Sequence, residues 1–327
     1  MMQRCCAIRA LLLCAGLAWW ATANASMATP HPCADGADTA SAPNDARLLV
    51  TAEREINAGR DRYFHDLLQY ILEHTEDSFG ACTLEYTSNP HVRLPALMGT
   101  EDFRGVDVFW GETSRERETQ LLPVRIPLTK GLATYRLLLI RPEDQARFSD
   151  IETFNDFGSL RVGGDPRWPI SRAFQAQGFD IVSARNFESR FRMLQAGRFD
   201  FLVRNASEVL AELDAYKDMN IVLERDLVFV YLAPYYFFVD PRFPQLAERL
   251  ATGLEAMHAS GAFDARFFAY PTIRDALAQL NLNQRRPILI PHPDMPDQTP
   301  YQTRNYWHLP TRGVHPWEFD DEVVDDL

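Results

Sequence analysis

The stretch VDVFWGETSRERETQLLPVRIPLTKGLATYRLLLIR, residues Val106–Arg141, decides how the chain is organised. It begins with a strand-like apolar run up to Trp110 and then breaks at a glycine into a polar loop. In open α/β sheets, ligands bind where such loops follow the carboxyl ends of strands. Thr113, Ser114 and Arg117 suit a carboxylate, because hydroxyl and backbone N–H donors combine with a planar guanidinium. A solvated cluster of charges is the alternative interpretation.

Strand-like and helix-like segments alternate on both sides of this stretch. Before it, the apolar run Arg47–Thr51 is followed by residues 62–74, whose apolar positions recur at helical spacing. After it, the glycine turn at residues 163–164 is followed by Pro169, which is well placed to open a helix. This alternation favours an α/β fold with a parallel, helix-covered sheet.

Two β-rich runs, residues 135–140 and 227–239, are predicted to carry the chain out of a first unit and back into it. They predict two lobes joined by two crossover segments that form a hinge. The predicted ranges are 47–134 and 234–275 for a discontinuous lobe 1, 135–233 for an inserted lobe 2 and 276–327 for an extended C-terminal tail.

Composition argues against several classes of function. The chain has 327 residues and a net charge of −12, and no basic stripe is present, so nucleic-acid binding is not expected. The eight histidines show no paired metal-ligand spacing, and no motif pairs a nucleophile with its base. No metal, cofactor or catalytic residue is therefore predicted.

Residues 1–25 have the pattern of a secretory signal. Arg4 and Arg9 flank the start of an apolar run, and Ala-Asn-Ala at residues 23–25 fits the small-residue cleavage rule. An uncleaved anchor is the alternative. The pattern predicts export to the periplasm, and the Ala-, Pro- and Asp-rich residues 26–46 are predicted to form a flexible arm.

Cleavage of this signal would leave two cysteines, Cys33 and Cys82. An even pair in an exported protein favours one disulfide, with two unpaired buried thiols as the alternative. Two isolated thiols do not make a metal site.

Three segments, in this order, resemble the periplasmic solute-binding proteins of family 3, the polar amino acid type. They are Gly105-Val106-Asp107 followed by the loop at residues 113–117, the glycine turn before a helix, and Gly197-Arg198-Phe199-Asp200 before the second crossing. The resemblance covers roughly residues 47–268 and implies the two-lobed type II periplasmic binding fold. It also implies a monomer that delivers a small ligand to an ABC permease or a sensor. The tail extends beyond the usual domain and looks like that of a proteobacterial subgroup of transporter substrate-binding proteins.

The resemblance also implies which residues contact the ligand. In that family, the arginine that closes the hydroxyl-rich loop binds the ligand's carboxylate, and Arg117 is the matching position, with Ser114 near the hydroxyl positions. The second lobe adds donors from its glycine turn, here Gly164. An acid five residues after the aspartate of the third segment holds the ligand's ammonium, but this chain has Asn205 there.

This departure changes the expected ligand. Asparagine cannot neutralise an ammonium, and the neighbouring Arg204 would repel one. A ligand with more than one anionic or acceptor group, clamped between Arg117 and Arg204, is therefore favoured. A structural ion pair between Arg204 and an acid such as Glu208 is the alternative.

Three aromatic residues, Trp110, Trp168 and Tyr236, are candidates to line the cleft and stack on a ligand. Packing in the core or hinge is the alternative for each.

The leading hypothesis is an exported binding protein that captures a small polar, anionic or amino-acid-like ligand. A lyase or dehydratase on the same fold is a rival, for which Glu112 and Glu53 are the candidate acids. A protein-interaction module that uses the proline-rich tail is another, but a strap packed over the first lobe is the favoured interpretation of the tail.

Overall fold

The computed structural model describes residues 47–51, 58–87, 97, 98, 100, 105–311 and 313–315. The predicted signal, the N-terminal arm, Cys33, Glu53 and the acidic end of the chain lie outside the described residues.

The strands and helices alternate along the described chain. The strands are β1 (Arg47–Thr51), β2 (Thr83–Thr87), β3 (Val108–Glu112), β4 (Leu122–Val124), β5 (Tyr135–Ile140), β6 (Val162–Gly164), β7 (Ile181–Ser183), β8 (Phe201–Asn205), β9 (Val222–Leu223), β10 (Leu227–Val230), β11 (Tyr235–Val239) and β12 (Arg286–Leu289). The helices are α1 (Ala58–His74), α2 (Glu76–Phe79), α3 (Arg115–Gln120), α4 (Gln145–Ser149), α5 (Pro169–Ala176), α6 (Phe187–Gln195), α7 (Val209–Ala215), α8 (Pro244–Ser260), α9 (Ala262–Ala269) and α10 (Pro271–Gln279). The 135–140 strand matches its predicted bounds to the residue, and α5 begins at the predicted Pro169.

The strands form three sheets. A seven-stranded sheet has the order β12-β10-β5-β8-β6-β7, with β9 also paired to β5. A three-stranded sheet has the order β3-β11-β4, and β1 pairs with β2.

The prediction of a parallel sheet is wrong for the larger sheet, which is mixed. β6 runs parallel to β7 and β8, whereas β5 is antiparallel to β8, β9 and β10. The helices between β6, β7 and β8 supply the long crossovers that parallel pairing needs. β5 and β10 instead lie at the two points where the chain passes between sheets. The chain enters the larger sheet at β5 and leaves it after β10, so these two strands run in opposite directions.

The chain passes between the three-stranded and seven-stranded sheets twice, and the two crossings lie side by side. Val230 pairs with Tyr135, and the N–H of Tyr231 donates to the carbonyl of Thr134 at 3.0 Å. The N–H of Leu128 donates to the carbonyl of Tyr235 at 2.9 Å. Two adjacent crossings are what the predicted hinge requires, and the stated lobe boundaries remain a prediction.

The C-terminal tail is built into the fold. β12 adds to the edge of the larger sheet by parallel pairing with β10, with Ile288 opposite Phe229. The buried Arg285 anchors this strand by donating to the carbonyls of Leu280 at 2.7 Å and Leu227 at 3.0 Å. The interpretation as a strap over the first lobe therefore needs correction here. Pro287 argues against a central strand, but it is tolerated at an edge.

After β12, residues 290–311, which we call the C-terminal segment, return to the crossings. The N–H of Arg115 donates to the carbonyl of Asp294 at 3.0 Å, and the N–H of His308 donates to the carbonyl of Lys130 at 2.7 Å. One segment thus bonds to α3 and to the first crossing. No helix among the described residues is long and apolar enough to cross a bilayer.

Helix α8 approaches α1 most closely at Gly253, where an added Cβ would lie 2.5 Å from Cγ2 of Ile71. Alanine gains about 1 kcal/mol of helix propensity over glycine, but overpacking costs about 1–3 kcal/mol. We expect Gly253→Ala to lower the free energy of unfolding, measured by urea denaturation. Ile71→Ala should relieve the clash, so the double variant should lose less than the sum of the single losses. Ala256→Gly, at an exposed position of the same helix, measures propensity alone; strictly additive losses would contradict the close approach.

His258 predicts a pH dependence of stability. Its ring stacks on Phe263 at a centroid distance of 4.2 Å and meets Tyr306 at 4.8 Å. Burial, with help from the charge of Lys130, lowers the pKa of His258 from 6.5 to about 4. Between these two values the unfolded chain binds more protons than the folded one, so stability falls as the pH falls. We expect His258→Gln to flatten this part of the curve of unfolding free energy against pH. Equal slopes for the two proteins between pH 6.5 and 4 would contradict the shift.

Candidate functional site

Arg117 is held on α3 with its guanidinium against the outer face of β3. Ser114 caps the helix, because its Oγ accepts the N–H of Arg117 at 3.1 Å. The guanidinium carbon lies 5.5 Å from the ring centroid of Phe109 and 5.4 Å from that of Phe238. A Cβ at Gly111 would come within 3.0 Å of Nη1 of Arg117, so glycine makes room for the guanidinium. The two rings and the cap hold this side chain in place.

The charge of Arg117 is not neutralised by a neighbour. Among the described residues, no carboxylate forms an ion pair with Arg117, and its Nε is buried without a hydrogen-bond partner. Burial lowers the pKa of Arg117, and the nearby carboxylate of Glu112 only partly offsets this. Buried cations are normally paired. The arrangement is therefore the kind that an anionic ligand completes.

The loop hydroxyls are used within the fold. Oγ1 of Thr113 donates to Oε1 of Glu118 at 2.5 Å, and its N–H donates to the carbonyl of Pro234 at 3.0 Å. Ser114 is the helix cap. These two residues therefore position the loop, whereas Nε of Arg117 has no hydrogen-bond partner among the described residues.

A buried polar cluster lies at the end of β3, where the two sheets meet. Nη2 of Arg136 donates to Oε2 of Glu112 at 2.7 Å. Nε2 of His292 lies 3.7 Å from Oε1 of Glu112, and its ring stacks on Tyr231 with a centroid distance of 4.7 Å. Burial raises the pKa of Glu112, but Arg136 and His292 outweigh it and hold the pKa below its ordinary value. Glu112 is therefore ionised at neutral pH. We call these four residues the Glu112 cluster.

Several polar atoms of this cluster remain unsatisfied. Four atoms of the cluster are buried and have no hydrogen-bond partner among the described residues: Oε1 of Glu112, Nε of Arg136, Nε2 of His292 and the hydroxyl oxygen of Tyr231. Most buried polar atoms in proteins are paired, and each unpaired one costs about 1–3 kcal/mol. The presence of four such atoms in one cluster indicates a place for a polar group.

Sequence reasoning considered Glu112 only as a possible catalytic acid and did not find the other members of the cluster. Arg136 carried a detectable signal, since it is the only charged residue within the apolar strand β5. A charged side chain in a buried strand needs a partner of opposite charge. Nothing near His292 in the sequence indicates that it reaches β3.

Arg204 lies on the larger sheet and is already paired. Its Nε donates to Oε2 of Glu212 and its Nη2 donates to Oε2 of Glu208, each at 2.6 Å. All three side chains are buried. The structure therefore shows the ion pair that the sequence left open, and the proposed clamp loses its second free cation.

Trp168 precedes α5 and lies between two guanidinium groups. Their carbons are 4.5 Å (Arg190) and 5.0 Å (Arg204) from its ring centroid. Arg190 is in turn paired with Asp165 at 3.0 Å. The ring is half-buried, so part of it stays accessible at this edge of the sheet.

Gly164 and Asn205 serve local structure at the same edge. A Cβ at Gly164 would lie 2.8 Å from Oγ of Ser171, so glycine lets α5 pack against β6. Oδ1 of Asn205 accepts the N–H and the Oγ of Ser207, both at 2.9 Å.

Trp110 and Tyr236 lie inside the core, as their alternative interpretation held. Trp110 is 2% exposed and stacks on Phe64 at 5.1 Å. Tyr236 is fully buried and packs with Phe109 and Phe238. Neither ring is presented to a cleft.

Two contacts connect β3 and α3 with the elements of the larger sheet. Nη1 of Arg172 on α5 lies 3.5 Å from Oε2 of Glu116 on α3. Arg136 contacts Glu112 and is the register partner of Asn205. Arg117, the Glu112 cluster and the edge that carries Trp168 thus surround one region between the sheets.

Cys82 directly precedes β2, but its predicted partner Cys33 is outside the described residues, so that disulfide stays a prediction.

The fold is similar to those of solved periplasmic binding proteins. An ancestral arginine-binding protein bound to arginine has a TM-score of 0.52 and 16% identity, over 69% of this chain and 99% of that chain. An arginine-specific periplasmic binding protein of Salmonella typhimurium has a TM-score of 0.51 and 14% identity, over 68% and 98%. A histidine kinase sensor domain with similarity to periplasmic binding proteins has a TM-score of 0.50 and 18% identity, over 69% and 96%.

No protein-family model matches the chain, and no curated protein matches its sequence. The structural similarity confirms the predicted α/β fold of the type II periplasmic binding class.

The ion pairs of Arg204 predict a structural effect. Arg204→Ala leaves the fully buried Glu212 without its partner, which costs about 3–5 kcal/mol of unfolding free energy. Urea denaturation measures this loss. Arg192→Ala, which breaks an exposed pair with Glu188, should cost about 0.5 kcal/mol or less. A small loss for Arg204→Ala together with an altered ligand profile would instead restore the clamp.

Proposed function

We propose that this protein is an exported solute-binding protein that captures a small polar, anionic ligand between its two sheets. Arg117 is the residue expected to bind the ligand's carboxylate. The observation that carries the proposal is its guanidinium, which is held by two aromatic rings and has no carboxylate partner among the described residues. A planar fork of donors suits a carboxylate, and a desolvated site strengthens the attraction.

The charge balance of the region favours an anion over an amino acid. Glu112 is paired with Arg136, and the acids beside Arg204 are paired with that arginine. Asn205 has its side-chain oxygen engaged by Ser207. Oε1 of Glu112 is the one carboxylate oxygen of this group that has no hydrogen-bond partner among the described residues, and it faces the ring of His292. An ammonium there would oppose the N–H of His292, which supports an anionic or acceptor-rich ligand.

The two adjacent crossings support a hinge between the predicted lobes, and lobe closure over the ligand would present the complex to a partner protein. The similar structures include an arginine-specific periplasmic binding protein and a sensor domain. We therefore propose delivery to an inner-membrane ABC permease or to a sensor, by a periplasmic monomer.

The lyase or dehydratase alternative draws less support. The lowered pKa of Glu112 does not suit a general acid, and its ion pair with Arg136 weakens the carboxylate as a general base. The solved structures with a similar fold include binding proteins and a sensor domain.

Binding should depend on Arg117. In a thermal-shift screen of residues 26–327 against dicarboxylates, keto acids, amino acids and phosphate, a ligand at 100 times its Kd adds about 2.7 kcal/mol of stability. We expect Arg117→Ala to weaken binding of the best ligand by about 10-fold to 150-fold, because hydrogen bonds to charged groups contribute about 1.5–3 kcal/mol. Isothermal titration calorimetry measures this change.

Arg192→Ala is the matched control, because this arginine is exposed on α6 and pairs only with Glu188. Unchanged affinity in Arg117→Ala would refute the assignment. A folded, ligand-free protein that responds to none of these compounds would favour the protein-interaction module.

A further inference from the structure

We propose that the ligand is a hydroxy acid, and that His292 and Glu112 recognise its hydroxyl group. This inference rests on the proposed function, since it concerns the same region between the sheets. It adds a binding residue from the C-terminal segment, which lies beyond the part of the chain that resembles solute-binding proteins.

His292 is placed and oriented as a hydrogen-bond donor. Its side chain is 4% exposed and its ring is nearly parallel to that of Tyr231, with an interplanar angle of 12°. Nδ1 accepts the N–H of Asp294 at 3.2 Å. In the neutral imidazole the proton is then on Nε2, which faces Glu112.

The donor and the acceptor do not satisfy each other. Nε2 of His292 and Oε1 of Glu112 are 3.7 Å apart, which is longer than a hydrogen bond, and neither has a partner among the described residues. An oxygen about 2.8 Å from both atoms fits this separation. The other oxygen of Glu112 is held by Arg136, so the carboxylate cannot turn away without losing that bond.

Of the hydroxyl, ammonium and carboxylate groups of small acids, only a hydroxyl suits this pair of atoms. A hydroxyl accepts from Nε2 and donates to Oε1. An ammonium carries donors only and leaves the N–H of His292 opposed by another donor. A second carboxylate carries acceptors only and is repelled by the ionised Glu112. A hydroxyl is therefore selected over both.

The carboxylate of such a ligand would be bound nearby. Nη1 of Arg117 lies beside Gly111, the residue that precedes Glu112 on β3. Side chains alternate between the faces of a strand, so Arg117 and Glu112 approach the end of β3 from opposite faces. A small acid lying across this end reaches the guanidinium with one group and the His292–Glu112 pair with another.

The test compares acids that differ at one group. Calorimetry on residues 26–327 measures the affinities of malate, succinate and aspartate, and of 2-hydroxyglutarate, glutarate and glutamate. We expect the hydroxy acid of at least one series to bind about tenfold or more tightly than both its deoxy and amino counterparts.

His292→Phe keeps the stack on Tyr231 and removes the donor. We expect it to abolish the preference for the hydroxyl while leaving the affinity for the deoxy acid within about twofold. His308→Phe is the matched control, since this histidine belongs to the same segment but packs on Phe268. If His292→Phe does not fold, as judged by its melting transition, His292→Leu serves in its place, because leucine also lacks a donor.

The outcomes separate this inference from the proposed function. Binding of acids without a hydroxyl preference, or a preference that survives loss of His292, overturns the inference and leaves the function standing. A folded protein that binds none of these acids, and no other anion, overturns both.

Discussion

The buried ion pair between Glu112 and Arg136 is the constraint on which the region between the sheets depends. It joins the end of β3 to the start of β5, across the boundary between the two sheets, with a bond of 2.7 Å between side chains that are each about 6–7% exposed. Removing one partner of such a pair leaves a buried charge and costs about 3–5 kcal/mol. Loss of this ion pair would therefore destabilise the arrangement of the two crossings. Any motion of the predicted lobes must either keep this pair or carry water to it.

The distribution of charge distinguishes Arg117 from the other buried arginines. Arg204 and Arg190 each contact carboxylates, and Arg249 donates to Thr75 and to a backbone carbonyl. Arg117 has aromatic rings on its flanks instead. Aromatic faces orient a guanidinium and attract its charge weakly, but they do not satisfy its hydrogen-bond donors. This difference, rather than the number of arginines, is the reason for proposing Arg117 as the binding residue.

The C-terminal segment connects the two sheets in a way that the usual binding domain does not require. It follows β12, which is part of the larger sheet, and through the carbonyl of Asp294 and the side chain of Asp297 it contacts Arg115 on α3. The contact between Arg115 and Asp297 is exposed and weak, whereas β12 is bonded along its length. The segment is held again further along, where the N–H of His308 donates to the carbonyl of Lys130, so His292 lies between two bonded parts of the chain.

Much of the fold was predictable because the signals for it are local. Periodicity and turn residues located β5 and the start of α5 at Pro169. The two β-rich runs predicted the two crossings. Strand direction was not predictable in the same way, since it depends on which elements the chain joins, and the sheet is mixed where a parallel one was expected.

The residues of the candidate site were likewise predictable only where the signals for them are local. The sequence by itself was enough to predict Arg117 as a candidate, because its loop, cap and hydroxyls are neighbours in the chain. It also allowed the pairing of Arg204 with Glu208, four residues away. Only the tertiary structure decided that Trp110 and Tyr236 are core residues and that His292 lies beside Glu112. The reason is physical: a contact between residues far apart in the chain is set by packing of whole elements, and no local pattern records it.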